Sequence, residues 1–226
     1  MALRFDIISI GTLSRNRFWN EEQSARSAHA TTTLIRDGGH TILVDPSLPG
    51  EILVHRLAER TGLRPEAVDA VFLTTFRPVH RRGLDLFSHA DYLMGGAEIE
   101  AMTAELNAQL EGAERANRPP DPLVEEELAI LGGFSAAPDK LTPGVHLFPS
   151  PGPTPGSSSL LLVPATQTIA VAGDVVLTRD HFDSVRVFEH ASNVEQARES
   201  FAELVEIADQ IVPGHDNLIV CPTGRP

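Results

Sequence analysis

The 226-residue sequence has one cysteine, Cys221, and that scarcity removes two kinds of structure at once. No intramolecular disulfide can close, and no cysteine-based zinc site can be assembled. Lysine is equally rare: Lys140 stands alone beside many arginines, which coding bias explains as well as function does. Positive charge is short overall, since 18 Lys and Arg against 31 Asp and Glu give a formal charge of −13. A chain so acidic lacks the basic surface that phosphate backbones require, which argues against a general nucleic-acid binder. Solubility is sufficient reason for the acidity. No apolar run approaches the roughly 20 residues of a membrane span. The opening Met1-Ala-Leu-Arg-Phe-Asp-Ile-Ile has neither the apolar stretch nor the cleavage pattern of a signal peptide. The expectation is a soluble protein of the cytoplasm with no membrane partner. Also missing are a Gly-rich phosphate loop, a dinucleotide fingerprint and a Gly-x-Ser-x-Gly elbow.

What is present can build a core, with 42% of the residues hydrophobic. No Pro/Ser-rich linker and no short repeat divides the chain, so residues 1–226 read as one domain. Arg4 to Ile10 reads as a strand. Gly11 to Ala30 is polar and irregular around Phe18 and Trp19. Two β-branched runs, 31–36 and 40–44, flank Asp37-Gly38-Gly39 as a hairpin, ending at Asp45-Pro46-Ser47. Glu51 to Arg60 has helical spacing and stops at Thr61-Gly62. Ala70–Leu73 and Asp91–Met94 are short strands, and 97–112 and 123–131 are helical pieces around an Asn-Arg-Pro-Pro break. Strands follow at 145–148, 158–163 and 168–172, then a helix over 193–209 capped near Ser192, then a strand at 210–213. Paired strands with helices between them predict two sheets packed face to face under helices.

The centre of this arrangement is Val71-Phe-Leu-Thr-Thr-Phe-Arg-Pro-Val-His80-Arg-Arg-Gly83. It resembles the metal-binding loop of the metallo-β-lactamase fold superfamily, where His-x-His-x-Asp-His follows a strand. Three further segments fit that pattern in order: the hairpin 31–47, the loop 150–157 with strands ending Ala172-Gly173-Asp174, and Val212-Pro213-Gly214-His215. The resemblance implies an α/β four-layer αββα sandwich. It also implies a two-metal centre, and here the sequence departs from it. The first-metal positions carry Thr75, Arg77 and Pro153, and a second-metal carboxylate is replaced by Val79. His80, Asp174 and His215 persist, and Asp45 falls where the family has an Asp supporting the loop from behind.

Two functions remain open on these residues. Two histidines and one carboxylate can hold one divalent ion (zinc, iron or manganese) with open positions, as in a reduced, mononuclear hydrolase. Alternatively Arg77 pairs with Asp174 and replaces the missing charge, giving a metal-free, non-catalytic binding module for a small molecule or protein. Under the second reading a contact between Arg77 and Asp174 of about 3.2 Å or less is expected. His181 and His190 are minor substitute ligands. Arg81 and Arg82 add charge nearby and are expected on the surface. The segments 11–30 and 97–132 are expected to shape specificity for a small uncharged or anionic substrate. The acidic surface and apolar hairpin edge allow a homodimer.

Overall fold

The structure, a computed structural model, describes residues 2–22 and 25–222. Residues 23–24 of the irregular segment expected at 11–30, and Met1 of the opening stretch, lie outside the described residues. The chain opens with β1 (Arg4–Ser9), β2 (Thr32–Asp37) and β3 (His40–Val44), then α1 (Gly50–Thr61), β4 (Ala70–Leu73) and β5 (Asp91–Met94). Two helices follow, α2 (Gly96–Arg115) and α3 (Pro122–Leu131), and then the short β6 (Ser135–Ala136). The second half contains β7 (Lys140–Thr142), β8 (Val145–Pro149), β9 (Ser158–Leu162), β10 (Ile169–Gly173), the short α4 (Arg179–Asp183), α5 (Val194–Ile207), β11 (Gln210–Pro213) and β12 (Ile219–Val220).

Two six-stranded sheets result, ordered β1-β2-β3-β4-β5-β6 and β12-β11-β10-β9-β8-β7. The β2–β3 hairpin turns through Gly38 and Gly39 with Asp37 opposite His40. Both glycines have positive φ, 59° and 97°, which a tight two-residue hairpin turn demands and side chains resist.

Side-chain alternation along the strands creates the layers. Val71 and Leu73 join Leu43, Leu53, Leu57 and Met94 in one core, on the face of the first sheet that α1 packs against. Phe72, between them in sequence, points the other way and meets Val44, Leu160, Leu162 and Val171 between the sheets. On β10 the same division recurs, with Ile169 and Val171 inward and Ala170 and Ala172 outward against Phe201 and Leu204 of α5. Helix, sheet, sheet and helix thus stack as the expected four-layer αββα sandwich. The shortest pieces, β6, β7, β12 and α4, go beyond what the sequence pattern predicts, and none is longer than five residues.

The first sheet runs parallel from β3 through β6 and the second has the parallel pair β10 and β11, and the site lies at the ends of β3, β4, β10 and β11. The loops leaving the carboxyl ends of these four strands begin at Asp45, Thr74, Asp174 and Gly214. In open α/β sheets this end is where ligands gather, because crossovers leave a crevice there.

Candidate functional site

Four of the sequence-selected residues converge at that end. Asp45, His80, Asp174 and His215 are all buried. Among the described residues, His80, Asp174 and His215 form a group able to hold a metal ion, each offering one ligand atom, all within 4.8 Å of one another. Their placement follows from the strand ends. Asp45 has φ of 50°, unusual for a non-glycine residue, and its carboxylate turns toward β4. There it accepts hydrogen bonds from the Thr74 backbone N–H at 2.9 Å and the Thr74 hydroxyl at 2.7 Å. Gly173 has φ of +54°, and a Cβ there would sit 2.5 Å from the Thr74 hydroxyl oxygen. Only glycine lets β10 end against Thr74, and that close approach brings Asp174 to the centre.

The imidazoles are fixed from behind. His80 Nδ1 lies 3.0 Å from Asp45 Oδ2 and 3.4 Å from the Thr74 hydroxyl. His215 Nδ1 is 2.9 Å from the His29 carbonyl, to which it donates. Each ring therefore turns its Nε2 toward Asp174 Oδ1, at 3.2 Å in both cases. For His215 this is a hydrogen-bond contact. For His80 it is a charge contact without hydrogen-bond alignment, and Nε2 is a buried nitrogen with no hydrogen-bond partner. Burial alone would depress the His80 pKa; the Asp174 and Asp45 carboxylates outweigh it and push it up to about 10. Burial likewise opposes ionisation of Asp174, but the neighbouring His80 charge and the contacts with His215 and His80 hold its carboxyl well below the usual range.

The substituted positions have a structure of their own. Arg77 Nη1 donates to Asp174 Oδ2 at 2.7 Å, and Nη2 donates to the Pro153 carbonyl at 2.7 Å. The contact anticipated for a charge-balanced centre is present, and Pro153 takes part through its backbone. Thr75 is buried, and its hydroxyl accepts from the Arg77 backbone N–H at 3.1 Å, so it shapes the turn that aims Arg77. Val79 lies in a short 3-10 turn and offers no ligand atom. The Arg77 side chain is 26% exposed, and its guanidinium carbon lies 4.7 Å from the Phe188 ring centroid.

Two sequence expectations change. Arg81 is not a surface residue: it is 9% exposed, donates to the Phe76 carbonyl at 2.9 Å and pairs with Glu127 of α3. The neighbouring Phe76 ring, with its centroid 4.3 Å from the guanidinium carbon, draws it inward. Arg82 is exposed as expected. His181 and His190 do not join the group around Asp174. His181 Nδ1 contacts the Thr178 hydroxyl at 2.8 Å, and His190 is an exposed residue beside Glu189.

Glu98 is invisible to sequence reasoning. It is fully buried in the first turn of α2. Its carboxylate accepts from the Phe76 N–H at 3.0 Å, the Thr154 hydroxyl at 2.8 Å and the Gly156 N–H at 3.1 Å. It thereby ties the loop carrying Arg77 to the loop carrying Pro153. One glutamate among many in an acidic helix gives no sign of this in the sequence. Beside Arg77, a cavity of about 360 Å³ is walled by Met102, Glu105 and Leu106 of α2 and Glu127 of α3, so the helical segment does shape a pocket mouth.

A family model described as the metallo-beta-lactamase superfamily matches residues 28–74. The chain has the metallo-β-lactamase fold. The metallo-beta-lactamase domain-containing protein 1 of Xenopus laevis is 29% identical over 195 residues, covering 83% of this chain and 71% of that protein. Among solved structures, the dizinc quorum-quenching lactonase AidC, in complex with a homoserine product, superposes with a TM-score of 0.68 at 16% identity, over all of this chain and 89% of that one. A mutant of AiiA from B. thuringiensis, with N-decanoyl-L-homoserine bound at its active site, gives 0.63 at 19% identity, over 95% and 93%. Both of these structural neighbours hold a small-molecule ligand. At such identities the likeness carries the architecture alone.

Proposed function

We propose that this protein is a binding module of metallo-β-lactamase fold whose metal centre is closed by an internal ion pair. The observation that carries the reading is the Arg77 guanidinium on Asp174, at 2.7 Å. A dinuclear centre does not fit, because Thr75, Arg77, Val79 and Pro153 supply no side-chain ligands where the family pattern needs them. A single ion finds donors of the right kind in His80, Asp174 and His215. It would, however, have to displace a proton that the Asp174 and Asp45 carboxylates hold on His80. It would also share Asp174 with a guanidinium. With His80 protonated, Arg77 and His80 offset the carboxylates of Asp45 and Asp174, so no negative charge is left over to call for a further cation.

A second reading keeps one ion and hydrolytic chemistry. It is favoured by His80 Nε2, buried and without a hydrogen bond, with both Nδ1 atoms anchored in the manner of metal-bound imidazoles. An ion held there would supply Lewis acidity and an acidified water. In that case Asp45 and the His29 carbonyl hold the rings in register, and Asp174 provides the negative ligand.

Elemental analysis of protein purified without chelator separates the two. The expected result is no bound zinc, iron or manganese, even after soaking in each. Near-stoichiometric metal that disappears in both His80→Ala and His215→Ala overturns the metal-free reading.

A further inference from the structure

A second cavity, of about 550 Å³, opens beside Phe188 and takes no part in the buried centre. One wall is the segment after β1, with Arg15, Arg17 and Phe18; the other is the stretch following α4, with Arg186 and Phe188. The walls are tied together across the opening. The Asn16 amide donates to Asp180 at 2.8 Å, and Arg17 pairs with Glu189. The cavity is therefore preformed and does not wait for a ligand to assemble it.

Its charge is opposite to that of the molecule. The chain as a whole has 31 acidic against 18 basic residues, yet three arginines and one acid line this cavity. The acid, Glu189, is already committed to Arg17. Arg15 and Arg186 make no ion pair among the described residues. Arg186 instead lies over the Phe18 ring, its guanidinium carbon 5.6 Å from the centroid. Phe18 is held edge-on by His181 at 4.9 Å. His181 has its pKa lowered by burial, so a neutral ring backs this wall.

The backbone that presents Arg186 is strained. Val185 has φ of 53°, a region that a β-branched residue strongly resists, and it is 73% exposed. No side-chain burial compensates it. The turn is held instead by the Arg186 N–H donating to the His181 carbonyl at 2.9 Å and the Val185 N–H to the Phe182 carbonyl at 3.2 Å. Strain of this kind persists where the surroundings fix a conformation, and here it fixes the approach of Arg186 to the cavity.

We infer that this cavity binds a small organic anion, its carboxylate or phosphate head between Arg15 and Arg186 and its flat or aliphatic body between Phe18 and Phe188. The size is within the range of small-molecule sites, and the lining has the apolar walls and few charged groups such sites need. A ligand class is thereby given to the binding-module reading, on which this site otherwise does not rest: it is the same whether or not the buried centre holds an ion.

The test is calorimetry on the full chain with four probes: 2-naphthoate, 2-naphthyl phosphate, the neutral 2-naphthamide, and inorganic phosphate alone. The expected result is saturable binding of at least one naphthyl anion, with the amide weaker by about tenfold or more, as loss of a charge-assisted contact implies. Which naphthyl anion binds more tightly identifies the head group. The Arg15→Gln/Arg186→Gln double variant is expected to lose about tenfold or more for the anions and little for the amide. Higher salt weakens the anions selectively. Equal binding of anion and amide, unchanged affinity in the double variant, or inorganic phosphate matching the naphthyl anions would overturn the proposal. Metal content measured on the same preparation reports separately on the buried centre.

Discussion

The buried centre and the arginine-lined cavity both border Phe188 and use their charges in opposite ways. In the centre every charge has a partner within the protein: Asp174 with Arg77, His80 and His215, and Asp45 with Thr74 and His80. In the cavity two guanidiniums have no carboxylate among the described residues. A site whose charges are satisfied internally offers a ligand little beyond what it must break. A site with unspent charge at a preformed opening offers affinity at small reorganisation cost. On this account the cluster around Asp174 serves the stability of the fold, and the place to look for a ligand lies outside it. Mutations should consequently separate stability from binding.

The largest effect is expected at His80. His80→Ala leaves Asp45 and Asp174 facing each other across a cavity, and losing one partner of a buried ion cluster costs about 3–5 kcal/mol. Its pH dependence has a definite sign. The folded state holds the His80 proton up to a pKa of about 10, against 6.5 for the same group in an unfolded chain. The contribution is thus complete below about pH 6.5 and is lost as pH rises through 10. Asp174 acts at the acid end: its contribution is present above 3.8 and is lost as pH falls below it. Urea denaturation should show wild-type stability falling between pH 6.5 and 10, and a flatter profile for His80→Ala. An alkaline slope identical in the two proteins would mean that His80 is not the protonated partner.

Arg77→Ala should come next. Its side chain is 26% exposed, so water screens part of the loss, and about 2–3 kcal/mol is expected rather than the full value for a buried pair. The same variant leaves Asp174 with an unpaired oxygen, so it should also take up divalent metal more readily than the parent. A stability change near zero with no gain in metal uptake would remove the ion pair from its closing role.

How much of this is readable in advance depends on the range of the interaction. The layers are legible because alternation is local: Val71, Phe72 and Leu73 announce a two-faced strand before any partner is known. Asp174 and His215 are legible through the order of Gly173-Asp174 and Pro213-Gly214-His215 after apolar strands. The Arg77–Asp174 contact follows from a charge argument, since a buried carboxylate that loses its usual cations needs another. Glu98 is not legible, because its three donors come from loops that meet it only in the folded chain, 22 to 58 residues away. Arg81 is misplaced by sequence for the same reason: Glu127, its partner, is 46 residues distant. The cavity arginines fall in two segments, around residues 15 and 186, that no motif connects. Only the topology puts them on facing walls.

The smallest stability effect sharpens the comparison most. Arg15 and Arg186 are exposed and make no ion pair among the described residues, so Arg15→Gln/Arg186→Gln should change stability by no more than about 0.5 kcal/mol in urea denaturation. Removing two positive charges takes the formal charge from −13 to −15, so any shift should lean slightly toward lower stability. A protein that keeps two unpaired cations at an opening, on a strained turn and against its overall acidity, is not keeping them for its own cohesion. If the double variant instead lost several kcal/mol, those arginines would be structural, and the division between a closed centre and an open site would fail.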